Sequence, residues 1–142
     1  MGKEMKYKLV PEGTAYRLVA LKDFAGVLSG DLGGLVDGEH NLSHEGSCWI
    51  FEEAKVFGKA EVSGEARVSG KAKVFGKAEV FGEARVFGKA KVFGEAKVFE
   101  DTRVSGDARV FGEAKVYGEA AVLGKARVFG KAEVFGEVGV KK

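Results

Sequence analysis

The sequence predicts an all-β fold, a solenoid of short parallel strands, on the strength of a six-residue repeat, a local period of two and a glycine at each corner. From residue 54 to residue 137 the chain divides into 14 consecutive hexads of the form A-x-V-x-G-x, with no insertion or deletion. The third position is always Val, from Val56 to Val134. Ala fills the first position in 13 hexads, with Thr102 the exception, and Gly fills the fifth in 13, with Glu100 the exception. The second and sixth positions are charged, Ala121 apart.

A helix is excluded because its apolar residues would recur near every 3.6 positions, and a Gly in each hexad would cost about 1 kcal/mol relative to Ala. Within a hexad, Ala and Val share one face while the charged second residue points the other way, as in a strand with one buried side. Gly then supplies a bend, because it adopts positive φ without steric penalty. Hairpins would need regular Asn-Gly or Asp-Gly turns, which the tract lacks. The remaining architecture winds the chain into coils that hydrogen-bond to one another at about 4.8 Å.

A small residue two places before an aliphatic one, every six residues, resembles the hexapeptide single-stranded left-handed parallel β-helix. That resemblance implies three hexads per triangular coil and an 18-residue lateral period. The surface agrees with this period: Phe57, Phe75, Phe93, Phe111 and Phe129 form one column, and Lys55, Lys73, Lys91, Arg109 and Arg127 another. Glu65, Glu83, Asp101, Glu119 and Glu137 form an acidic column. Backward extension puts Leu42, His44 and Gly46 in the Ala, Val and Gly places of one hexad, and Cys48, Ile50 and Glu52 in those of another. Sixteen hexads amount to about 5.3 coils, or roughly 26 Å of axis.

Residues 1–41 do not follow the hexad and are expected to form an N-terminal β cap on the β-helix of residues 42–142. MKYKLV and TAYRLVAL read as strands on either side of a Pro11-Glu12-Gly13 turn. Solenoids need an atypical terminal unit, since an open coil exposes unpaired edges and its core. YRLVALKDFAGVLSGDLGGLV followed by NLSHEGSCWIFEEAKVFG resembles the leader of the YdcK-like, phage and prophage-associated hexapeptide proteins. In that family the leader precedes A-x-V-[YS]-G-N repeats; here Lys and Glu replace the Asn or Asp. The uniformity of the tract also suits an idealised design on such a template.

Composition narrows the function classes. Twenty-three basic and 21 acidic residues in a chain of 142 leave a net charge of +2, far from the excess that marks a nucleic-acid or membrane partner. Cys48 is the only cysteine, which excludes an intrachain disulfide and suits a reducing compartment. The start lacks a secretory h-region and no apolar run has the length of a membrane span, so the expectation is a soluble cytoplasmic protein without a membrane partner.

The hexapeptide fold hosts acyltransferases, which the resemblance says use an outward histidine, a neighbouring subunit and a protruding loop that holds coenzyme A. From Ala54 onward this chain has no His, Asn or Gln and no insertion. His40, His44 and Cys48, spaced four apart, invite a metal or Cys-His nucleophile reading, with Ser43 and Asp31 nearby. The hexad phase instead turns His44 and Cys48 inward on different sides of the prism, where they fill the first coil. SGDLGG, with Gly30, Gly33 and Gly34, precedes no helix and reads as a turn in the cap rather than a phosphate loop.

The expectation is therefore a non-catalytic scaffold, without cofactor, metal or catalytic residue, that forms a homo-oligomer or end-to-end assembly. Its candidate self-association surface is the column Phe57, Phe75, Phe93, Phe111 and Phe129, the alternative being the C-terminal coil, where EVGVKK lacks a leader-like cap. An acyltransferase-like enzyme is the rival reading. Single-strand nucleic-acid binding by the interleaved Phe and Lys residues is a weaker one, because acidic columns share the surface.

Overall fold

Alternation around each Val decides the local structure. In the computed structural model, which describes residues 5–51, 53–135 and 137–140, each repeat forms a two-residue strand such as Lys73–Val74 or Glu79–Val80. The charged residue faces out and Val faces in. From Ala54 to Val122 every first- and third-position side chain is at most 1% exposed. Removing each Val from water contributes about 1.5–3 kcal/mol before the entropy of ordering is set against it.

The corner after each strand is made by the fifth residue, whose φ lies between +63° and +71° at the described repeat glycines. The one hexad without Gly places Glu100 in the same left-handed region, at φ +64°. Its carboxylate accepts a 2.6 Å hydrogen bond from the Gly118 N–H one coil further on. That charge-assisted bond offsets the roughly 1–2 kcal/mol that an L-residue loses there.

Three walls result, each with strands parallel and in register. The first stacks Lys55–Val56, Lys73–Val74, Lys91–Val92, Arg109–Val110 and Arg127–Val128. The second stacks Glu61–Val62, Glu79–Val80, Lys97–Val98, Lys115–Val116 and Glu133–Val134. The third holds six strands, Trp49–Ile50, Arg67–Val68, Arg85–Val86, Arg103–Val104, Ala121–Gly124 and Glu137–Val140, which makes a solenoid of about six turns. Partners within the tract are 18 residues apart, as the columns of the sequence predict. Three amides per hexad reach the next coil: Lys73 N–H to Ala90 O at 3.0 Å, Phe75 N–H to Val92 O at 3.0 Å and Lys77 N–H to Gly94 O at 2.8 Å are typical.

The register departs from 18 at both ends. Leu42 stands beside Val62, not Ala60, so His44 does not occupy a Val place. Gly46 still lies over Gly64, and Cys48 and Ile50 keep their expected phase. His44 and Glu45 are therefore two extra residues in the corner. An apolar Leu42 completes the interior, whereas His44 there would bury an imidazole among methyl groups. Glu52 lies outside the described residues. At the other end Glu137 pairs with Ala121 and Val138 with Val122, so Glu137 leaves the acidic column predicted for it. The EVGV run continues as a four-residue strand instead of turning a corner.

Ahead of the tract, β1 (Tyr7–Glu12) and β2 (Ala15–Ala20) form an antiparallel hairpin, and β2 pairs antiparallel with β3 (Leu32–Val36). The turn is at Gly13-Thr14; Pro11 and Glu12 pair within the ladder rather than forming the turn. β3 then runs parallel to Lys55–Val56, so the leader extends the first wall. Gly33 and Gly34 are strand residues, not turn residues as the motif predicts. A Cβ on Gly33 would come 2.7 Å from the Trp49 ring, and one on Gly34 would strike the Ala54 carbonyl. They are glycines because β3 lies against Trp49, Ile50, Phe51 and Ala54.

Two substitutions test this packing. A Cβ at Gly94 would lie 2.8 Å from Gly112 N, while one at Gly130 meets nothing within 4 Å. Gly94→Ala should destabilise by about 2–4 kcal/mol and Gly130→Ala by only about 1, measured by chemical denaturation. Thr102 is fully buried in an Ala place and its hydroxyl has no hydrogen-bond partner. Thr102→Ala is expected to stabilise by about 1 kcal/mol in the same assay, because it removes an unsatisfied polar group.

Candidate functional site

The fourth residue of each hexad points outward beside a corner, and stacking the coils turns those residues into three columns. On the first corner Phe57, Phe75, Phe93, Phe111 and Phe129 form a continuous ladder. Their ring centroids are 4.9 Å apart over the first three steps and 5.4 Å at the last, with planes within 12° of parallel. The inter-coil spacing forces identical side chains into offset stacks, each worth about 0.5–1.5 kcal/mol beyond its buried area. The inner rings are half-buried against one another. Phe129, at the ladder's end, is 57% exposed.

A second ladder escaped the sequence reading, although the same 18-residue spacing contains it. Phe81, Phe99, Tyr117 and Phe135 stack on the second corner, with centroids 4.9, 5.3 and 5.5 Å apart. Its end is also open, Phe135 being 66% exposed. The third corner carries Phe51, Ser69, Phe87, Ser105 and Leu123, so no continuous stack forms there.

Charge follows the same geometry. The first wall carries Lys55, Lys73, Lys91, Arg109 and Arg127 side by side in register. Across the prism, the corner between the second and third walls carries Glu65, Glu83, Asp101 and Glu119. A proton shared with the Asp101 carboxyl, then the negative charges of Asp101 and Glu65, holds Glu83 above the ordinary carboxylate range. The second wall mixes signs, with Lys97 beside Glu79 and Lys115 beside Glu133. The shallow groove of about 610 Å³ along it is lined only by charged residues.

His40, His44 and Cys48 do not converge as a metal or nucleophile set. The exposed His40 puts Nε2 2.8 Å from the Gly58 carbonyl. His44 stacks on Tyr7 at 3.9 Å and accepts a hydrogen bond at Nδ1 from the Lys6 N–H. Its Nε2 faces the Glu39 carboxylate at 3.5 Å. Cys48 is fully buried beside Lys6, whose ammonium donates to Cys48 O at 2.7 Å, Gly46 O at 3.2 Å and Cys48 Sγ at 3.4 Å. Burial pushes the Lys6 pKa down and the Cys48 pKa up, each opposed by the other group. Burial, with Glu39 and Cys48 close by, likewise raises the Tyr7 phenol. A buried thiol held above its usual pKa is not the accessible thiolate that nucleophilic chemistry requires.

Nothing in the sequence marked Lys6 for burial, since the decisive partners are backbone carbonyls about 40 residues away. Ser43 Oγ accepts from the Glu45 N–H and Asp31 from the Leu28 N–H, both holding turns. Among the described residues no helix is long and apolar enough to cross a membrane. Neither a protein-family model nor a curated protein matches the chain.

The acidic corner gives a titration test. Because the folded chain holds the Glu83 proton more tightly than the unfolded chain does, this residue favours the fold as pH falls into the carboxylate range. That contribution is lost as pH rises through the folded-state pKa. NMR titration should place Glu83 above an ordinary glutamate, and Asp101→Asn should move it back down.

Proposed function

We propose that this chain is a non-enzymatic scaffold, a left-handed hexapeptide-type β-helix of YdcK-like kind, capped by the 1–41 segment and associating with itself in the cytoplasm. The observation that carries the reading is where apolar surface gathers. Along the prism the interior is sealed and the rings of the Phe57–Phe129 column cover one another. Around the last described coil this changes: Ala132 is exposed, Val134 is half-buried, and Phe129 and Phe135 are 57% and 66% exposed.

Arg127–Val128, Glu133–Val134 and Glu137–Val140 are the terminal strands of their walls among the described residues, so each leaves one hydrogen-bonding edge without a strand. A second copy stacked on these edges would continue the walls and both aromatic ladders at the spacing that they already use. Such a contact joins β edges and apolar rings together, the combination that drives strand addition. The lone buried thiol is compatible with a reducing compartment.

Sedimentation velocity over a hundredfold concentration range tests the proposal. The parent should associate, and Phe129→Ser with Phe135→Ser should hold it monomeric. Serine already occupies the fourth position at Ser63, Ser69 and Ser105, so the variant retains the fold. Phe93→Ser, within the ladder, should leave association intact. A parent that stays monomeric throughout, or a double variant that associates like the parent, contradicts the assignment; saturable coenzyme A binding contradicts its non-enzymatic part.

A further inference from the structure

The third aromatic column is interrupted by Ser69, and the interruption lies in a cleft. Phe51 and Phe87 belong to alternate coils with Ser69 between them, and these residues line one cleft of about 360 Å³ with Arg67 and Arg85. Over the inner steps of the continuous ladders each coil contributes a ring 4.9 Å from the next, with planes within 3°. Coil spacing alone puts the backbone positions of Phe51 and Phe87, two coils apart, at about twice that distance. A single planar ring placed over Ser69 would therefore stack on both.

The lining also has a charge preference. Arg67 and Arg85 are register partners in the third wall, and both side chains line this cleft. Neither has an ion pair among the described residues. An anion between them would relieve like-charge repulsion and accept charge-assisted hydrogen bonds. The Ser69 hydroxyl adds a polar group at the floor. Phe51 is held by packing on the core, so one wall of the slot is formed before a guest arrives. The gap at Ser105 differs, because Phe87 bounds it on one side and Leu123 on the other.

We propose that this slot binds a small aryl carboxylate, its ring between Phe51 and Phe87 and its carboxylate on Arg67 and Arg85. The probe is 2-naphthoate, titrated into the full chain by calorimetry and by its own fluorescence, with neutral 2-naphthylmethanol as the comparison. The parent should bind one 2-naphthoate per chain with a dissociation constant below about 1 mM, and bind the alcohol at least fivefold more weakly.

Ser69→Phe puts the chain's own ring in the slot; it should remain folded by circular dichroism and lose at least tenfold in affinity. Arg67→Gln with Arg85→Gln should remove the preference for the anion, and Ser105→Phe, which fills the neighbouring gap, should leave binding unchanged. The proposal is overturned if the parent shows no saturable binding, if a folded Ser69→Phe binds as well as the parent, or if the alcohol binds as tightly as the carboxylate.

Discussion

Hydrogen bonds from each outward residue's amide to the carbonyl 17 positions later hold this molecule together, and every other feature inherits their register. Bonds such as Phe93 N–H to Val110 O and Lys91 N–H to Ala108 O fix each coil on the next. They require the chain to return to the same place every 18 residues, which the left-handed corner residues make possible. With that return guaranteed, Ala meets Ala and Val meets Val along the interior. Along the repeat tract the core has only two kinds of place, filled by Ala and Val with Thr102 as the exception.

The same register acts on the surface without regard to whether the outcome is favourable. Identical rings brought to 4.9 Å stack and cover each other. Identical charges brought together repel, which is why the proton on Glu83 is held by its neighbours Asp101 and Glu65. Alternating Phe and Ser leaves a gap. Each column is a separate experiment in what an in-register stack does to one side-chain chemistry, and the functional proposals follow from the columns where the stack ends or is broken.

The walls, the corners and the Phe57–Phe129 ladder were legible because repetition makes each residue's environment a copy of its neighbour's. The second ladder, from Phe81 to Phe135, was equally legible by the same counting. The leader was not, since its contacts are unique. Leu42 displaced His44 from the interior because a branched alkyl group fits beside Val62 and an imidazole does not, a choice settled by packing that periodicity cannot express. Gly33 and Gly34 look like turn residues until β3 is laid against Trp49 and Ala54. Lys6 reaches its three acceptors only because the β1 hairpin and the His44 corner meet in space.

Thr102, the only threonine in the repeat tract, allows the inter-coil register to be observed directly despite the repetition. With carbonyl carbon labelled at threonine and amide nitrogen at arginine, NMR can detect scalar coupling across a hydrogen bond. The register described here predicts coupling from the Thr102 carbonyl to the Arg85 amide, which are 2.9 Å apart. Beyond the one-bond coupling to Arg103, the next residue in the chain, coupling to an arginine amide other than that of Arg85, or none across a hydrogen bond, would contradict it.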